Sequence, residues 1–339
     1  MGWWVILLFV GAGVAAALLT ALMRGWSLRQ GYLDVPNLRS SHSQPTPSGG
    51  GLAIVLAWLL AVGLLTVADP SILSGSAAWL PPALLIAVVG FVDDRRGLPR
   101  RTRILAHLLA VIWFFAVSDG VAVFAIGWLD RAETARILVG GVAMIWLINL
   151  FNFMDGIDGL AISEALFVTG CFLVMPALSG HSVSSALLYV SLAGACAGFL
   201  ALNWPPAKIF MGDAGSYFLG FVLGSLALRL SAETEIPVWT WLIVMAVFVA
   251  DATVTLLRRV ISGQRWYDAH RSHAYQILAR RWNSHRAVTV AASFVNVCWL
   301  LPLAAWSVRR PENALDIMLF AYLPLLFIAL RLGAGRREV

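Results

Sequence analysis

The chain has 339 residues, 60% hydrophobic and only 12% charged, with a net charge of +6 and a mean hydropathy of +0.82. A soluble domain carries about twice that charged fraction. A water-covered surface and a soluble basic domain for nucleic acid are therefore excluded, and the bilayer is the expected solvent for one integral membrane domain over 1–339.

The first apolar run, 2–23, has no charged segment before it and is followed by Arg24, so it reads as a retained helix rather than a cleaved leader. At roughly 20 apolar residues per crossing, the chain reads as an all-α, polytopic transmembrane bundle of about eleven spans. These centre near Leu8, Leu59, Ile86, Ile112, Met144, Phe172, Leu192, Leu223, Val244, Asn296 and Tyr322. The stretch 121–129 is too short to span and is expected as a loop or re-entrant hairpin. Of the 24 Lys and Arg residues, 19 fall in alternate loops, at 24–48, 93–103, 203–213, 258–286 and the tail from 331. Basic residues mark the cytoplasmic side, which places the N-terminus in the periplasm and the C-terminus in the cytoplasm. Cys171, Cys196 and Cys298 stand in apolar stretches without metal-ligand or disulfide spacing.

Acids are costly beside membrane helices, so their positions carry information. Taken in chain order, glycines 49–51 offer close backbone approach to a ligand, with Gly51 equally suited to close packing on a neighbouring helix. Asp93 and Asp94 close the third span. Asn149, Asn152 and Asp155 repeat at helical spacing into Asp155-Gly-Ile-Asp158-Gly. Lys208, Phe210, Gly212 and Asp213 lie in Pro-Ala-Lys-Ile-Phe-Met-Gly-Asp-Ala-Gly-Ser, where Asp213 or Ser216 could equally cap the eighth span. All these acids fall on the side assigned to the cytoplasm. Acids gathered at one depth suit a hard cation with oxygen ligands. The polar loop 258–275 supplies Arg265, His270, Arg271 and His273, side chains suited to an anionic sugar nucleotide. A cation- or proton-coupled transporter is the rival reading, with Arg229 paired to Glu233 or Glu235. Transporters hold such acids near the midplane, however, and these lie at one face.

These blocks resemble the polyprenyl-phosphate N-acetylhexosamine-1-phosphate transferases, a family that includes the undecaprenyl-phosphate GlcNAc-1-phosphate transferases and the phospho-MurNAc-pentapeptide translocases. The matching stretches are Ser40-Ser-His42 through Gly51, Asp93-Asp94, Asn149 through Leu160, Asn203 through Ser216, and Asp268 through His273. The resemblance implies transfer of sugar-1-phosphate from a UDP-sugar to undecaprenyl phosphate, with Mg²⁺ (or Mn²⁺) as cofactor. It implies Asp93 and Asp94 at the lipid phosphate, with Asp93 the candidate proton acceptor. Asp213 is implied as principal metal ligand, accompanied by Asp155 and Asp94. Asn152, Asp155, Asp158, Lys208 and Gly212 fall to the substrate, Phe210 to stacking on uracil, and Arg265, His270, Arg271 and His273 to the diphosphate or sugar. Two departures are visible: Ala274 follows His273 where many relatives pair histidines, and no lysine stands near Ser43 and Gln44. The Ala-His-Arg-Ser-His version is most like the O-antigen-initiating branch, which uses UDP-GlcNAc, UDP-FucNAc or UDP-QuiNAc. The implied setting is the bacterial inner membrane, with the site on the cytoplasmic face and a homodimer as an admissible assembly.

Overall fold

A segment of about 20 apolar residues satisfies its backbone inside a bilayer only by coiling into a helix, and helices of that kind make up most of the protein. A computed structural model describes residues 3–36, 44–70, 76–118, 132–181, 186–234, 236–265 and 270–337. The 121–129 stretch, Ser40–His42, Ser43, Glu235 and Asp268 lie outside the described residues. In chain order the helices are α1 (Trp3–Gln30), α2 (Gly51–Ala68), α3 (Ser76–Arg96), α4 (Arg100–Val117), α5 (Glu133–Met154), α6 (Leu160–Leu178) and α7 (Ala186–Asn203). There follow α8 (Asp213–Thr234), α9 (Val238–Val244), α10 (Ala246–Ile261), α11 (Ala274–Trp282), α12 (His285–Val295), α13 (Leu301–Arg309) and α14 (Ala314–Leu332). Among the described residues the strand content is a two-residue antiparallel ladder of β1 (Leu33–Asp34) on β2 (Thr46–Pro47).

This is a polytopic helical membrane protein. Among the described residues nine helices are long and apolar enough to cross a membrane, or ten if α9 and α10, bent by 80° at Met245, count as one broken span. All eleven expected centres fall in helices or, for Asn296, in the π-turn Asn296–Leu300 that joins α12 to α13. The helix at the expected fourth centre, α4, begins with Arg100, Arg101 and Arg103 and is too charged to qualify by composition.

The hub of the bundle is α8, which is buried along nearly its whole length. Bilayers supply little hydrophobic drive between helices, so contact depends on small residues that let backbones approach. A Cβ on Gly51 of α2 would lie 2.4 Å from the Gly215 Cα, and one on Gly220 would lie 2.7 Å from the Ile148 Cα of α5. Gly50 and Gly51 also donate backbone N–H groups to the Phe210 and Met211 carbonyls at 2.9 and 2.8 Å. Of the two readings of the 49–51 run, the geometry of Gly50 and Gly51 is that of close packing. The result fixes the starts of α2 and α8 and the ends of α3 and α5 at one end of the bundle. Elsewhere, Asn296 donates to the carboxylate of Glu164 of α6 inside the bundle.

Candidate functional site

At that end lies a polar cavity of about 310 Å³ lined by Asp34, Asp94, Asn152, Asp155, Asp158, Phe210, Gly212 and Asp213, among others. The acids arrive by four routes: Asp34 from β1, Asp94 from the last turn of α3, Asp155 and Asp158 from the turn between α5 and α6, and Asp213 from the first turn of α8. Asn152 ties two of these routes together, its Nδ2 donating to Asp213 Oδ1 at 2.6 Å and to Ser216 Oγ at 3.2 Å. The companion at the same spacing behaves otherwise, since Asn149 Nδ2 turns back on the Ile145 carbonyl of its own helix.

The neighbouring acids of the third span have separate roles. Successive helical residues point about 100° apart, so Asp93 and Asp94 cannot face the same way. Asp94 accepts from the Asp213 N–H (2.8 Å) and the Ala214 N–H (3.1 Å), capping α8 from another helix. This also corrects the expectation that Asp213 or Ser216 caps that helix. With each carboxylate oxygen accepting a backbone N–H, Asp94 positions the start of α8 while still lining the cavity. Gly212, at φ 77°, makes room for it: a Cβ there would lie 2.7 Å from Asp94 Oδ2. Asp93 is buried, accepts from the Leu98 N–H (2.7 Å), Arg103 (3.1 Å) and Tyr217 (3.3 Å), and does not line the cavity.

Asp34, Asp155, Asp158 and Asp213 also line the cavity, Asp155 and Asp213 from the end of α5 and the start of α8. Asp213 faces the cavity with Asn152 on one oxygen and Tyr217 at 3.5 Å from the other. Asp155 faces it without a hydrogen bond from any described residue. Burial pushes the Asp155 carboxyl well above the usual range, and the carboxylates of Asp213, Asp94 and Asp158 push it the same way. A cation relieves that repulsion. Among the described residues no three His, Cys, Asp or Glu side chains form a ready-made cage. Mg²⁺ does not require one, since it keeps several waters and takes one or two carboxylates plus substrate phosphates. Asp155 and Asp213 fit that demand.

Asp158 is held on one oxygen by the Ala207 N–H (3.0 Å) and on the other by His285 Nδ1 (3.2 Å). Beyond this pair a second cavity of about 710 Å³ opens, sharing Asp158, Phe210 and His285 with the first. Asn203, Gln276 and His285 also line the inner cavity. Gln276 and His285 were not singled out from the sequence, where they are ordinary polar residues of polar segments, and Asn203 stood only at the edge of a matching block.

The basic loop contributes less directly than expected. Lys208 and Arg265 are exposed and line neither cavity; both act through their carbonyls, which accept from Arg24 (3.2 Å) and Arg259 (3.1 Å). Nor do His270, Arg271 and His273 line the cavities. His273 is buried, with Nδ1 3.2 Å from Asp251 Oδ1, and stacks on His270 at 5.0 Å between centroids. Burial first, then His273 and Arg259, lower the His270 pKa to about 3. Asp251, on α10, also accepts from the Ala274 and Tyr275 N–H groups at 2.9 Å each and so caps α11. Tyr275 in turn reaches the Phe153 carbonyl (2.8 Å), and its hydroxyl stands 2.1 Å from where a Cβ on Gly156 would be. The loop thus serves to seat α11 against the acid-bearing turn.

Comparison with known proteins places the chain among relatives of one kind. The glycosyl transferase family 4 model matches residues 76–231. A decaprenyl-phosphate N-acetylglucosaminephosphotransferase of Mycolicibacterium smegmatis is 31% identical over 311 residues, covering 81% of this chain and 76% of that protein. A probable undecaprenyl-phosphate N-acetylglucosaminyl 1-phosphate transferase of Bacillus subtilis is 29% identical, covering 83% and 79%. A phospho-N-acetylmuramoyl-pentapeptide-transferase of Bacillus mycoides is 27% identical, covering 87% and 95%.

Proposed function

The chain belongs to glycosyl transferase family 4, among the polyprenyl-phosphate sugar-1-phosphate transferases, and we propose that it transfers an N-acetylhexosamine-1-phosphate from a UDP-sugar to undecaprenyl phosphate, releasing UMP. The observation that carries this reading is the pair Asp155 and Asp213, facing one polar cavity at the ends of α5 and α8 and linked through Asn152. UDP-GlcNAc, UDP-FucNAc and UDP-QuiNAc are the proposed donors, and initiation of a lipid-linked O-antigen is the proposed use. Charge asymmetry among the loops supports placing this end at the cytoplasmic face of the inner membrane.

In the reaction a lipid phosphate oxygen attacks the β-phosphorus of the donor, a new P–O bond forms, and the bond from the β-phosphorus to the bridging oxygen breaks as UMP leaves. Two anions must meet, and each like-charge pair at 4 Å opposes this by about 4 kcal/mol at an effective dielectric of 20. Asp155 and Asp213 would hold Mg²⁺, which when bound supplies the positive charge that offsets this repulsion. Asn152 fixes the Asp213 carboxylate, and Asp94 fixes the helix start on which Asp213 stands. No side-chain base is required, because a phosphate monoester has a second pKa of about 6 and is already ionised at neutral pH. The saturated environment of Asp93 agrees with that.

The test is UMP release by purified protein in detergent with Mg²⁺, undecaprenyl phosphate and a panel of UDP-sugars, beside Asp213→Asn. Lipid-dependent release from an N-acetylated donor, abolished in the variant, is expected. Release that ignores the lipid, or that survives Asp213→Asn, refutes the assignment.

A further inference from the structure

The outer cavity differs from the inner one in charge. The inner is walled by Asp34, Asp94, Asp155, Asp158 and Asp213, a negative field that opposes an anionic ligand. The outer carries Arg280 and Arg286 on its wall. Local backbone geometry brings these two together. Asn283, in the left-handed region at φ 46°, ends α11, and Ser284 accepts the Ala287 N–H (3.1 Å) to begin α12 at once. The last turn of α11 and the first turn of α12 therefore meet at one rim. Arg280 is held there by donating to the Arg271 carbonyl at 2.8 Å. Between the cavities stands Asp158, its carboxylate engaged by His285 and the Ala207 N–H.

Size points the same way. Clefts that enclose a drug-sized ligand run from about 300 to 1,000 Å³, so the inner cavity, at about 310 Å³, is at the bottom of that range. A nucleotide-sugar has a base, two sugar rings and a diphosphate, and must reach beyond it. Among the described residues the outer cavity, of about 710 Å³, shares the inner wall at Asp158, Phe210 and His285.

The geometry points to the outer cavity as the capture site for the nucleoside diphosphate-sugar, with Arg280 and Arg286 attracting its phosphates before the donor passes the Asp158–His285 pair into the acid-lined cleft. This rests on the function proposed above and adds the place and the charge that bring the donor in. Two guanidiniums at the mouth of a low-dielectric cleft raise the local concentration of an anion and screen with salt.

The experiment measures binding of UDP to the purified full chain at low and high ionic strength, in Mg²⁺ and in EDTA, with UMP release from the same preparations. R280Q/R286Q is compared with R280K/R286K and with R336Q/R337Q, which removes the same charge from the exposed tail away from both cavities. About tenfold weaker UDP binding at low salt, with a flatter salt dependence, is expected for R280Q/R286Q. That loss should be recovered in the lysine pair, absent from the tail pair, and present in EDTA. R280Q/R286Q binding UDP with wild-type affinity and salt slope, or the tail pair losing as much, overturns the capture site. A wild-type protein that turns over beside such an unaffected variant leaves the transferase reading standing. Arginine-dependent UDP binding without UMP release from any donor does the reverse.

Discussion

Asp251 offers the sharpest test of how the polar loop is held. Its Oδ1 accepts from the Ala274 N–H (2.9 Å), Thr255 Oγ1 (3.1 Å) and His273 Nδ1 (3.2 Å), while Oδ2 accepts from the Tyr275 N–H (2.9 Å). In Asp251→Asn the less costly arrangement keeps the oxygen where three donors converge and turns the new NH₂ toward Tyr275. One buried N–H then faces another donor. An unsatisfied buried donor costs about 1–3 kcal/mol, and the three remaining bonds lose their charge-assisted component, so a total of about 2–4 kcal/mol is expected.

That loss is local to α11. Hydrogen exchange in detergent should show the Ala274 and Tyr275 amides opening about 30- to 1,000-fold more readily, while the α8 core stays protected. UMP release should fall with it, because α11 carries Gln276 into the inner cavity and Arg280 to the outer one. Unchanged protection of α11 with unchanged turnover would refute the assignment of Asp251 as its anchor. So would a loss of protection spread equally over α8.

Gly156→Ala should displace α11, since its Cβ would lie 2.1 Å from the Tyr275 hydroxyl; adding Tyr275→Phe should recover part of the lost UMP release, and no recovery would dismiss that clash as the cause. Asp94→Asn replaces one of the two acceptors at the start of α8 and should cost about 1–2 kcal/mol, read as a lower Tm. Asp213→Asn should leave Tm nearly unchanged while ending UMP release, and the opposite pattern would exchange the roles given to the two acids. His270, lowered to about 3, stays neutral in the folded protein where the unfolded chain takes up a proton near 6.5. The unfolded state then binds more protons between those values, so this contribution to stability is complete above 6.5 and is lost as pH falls toward 3. Wild type should therefore lose more Tm than His270→Gln between pH 7.5 and 5, and equal losses would remove His270 as the source.

The sequence made the acid-lined end legible because an aspartate beside an apolar run is expensive and has few reasons to be there. Asp155, Asp158 and Asp213, with Asn152, reach the cavity as their spacing implied. The roles of Asp93 and Asp94 were not legible, since they depend on the phase at which α3 meets α8, a property of two helices rather than of either. Asp94 caps a helix more than a hundred residues away in sequence, which no local pattern announces. Gln276 and His285 carried no signal, being polar residues in polar segments, and Asn203 stood only at the edge of a matching block. Asp251 and Glu164 did carry one, the same cost that marked the other acids, but they stand inside apolar runs without a motif around them. For Lys208 and Arg265, composition showed the basic residue types and not which side chains line the cavities.

These corrections share a physical cause. A site assembled from the ends of several membrane helices needs something to set those ends against one another, because lipid gives the helices little reason to prefer one register. Here buried carboxylates supply it by accepting backbone N–H groups of other helices: Asp94 seats α8, and Asp251 seats α11. Each such acid sets the position of a helix start. Asp155 and Asp213 face the cavity without that duty, and under the function proposed above they are the acids that would meet a cation and a diphosphate. Sorting the acids of a membrane enzyme therefore starts from which helix starts they cap.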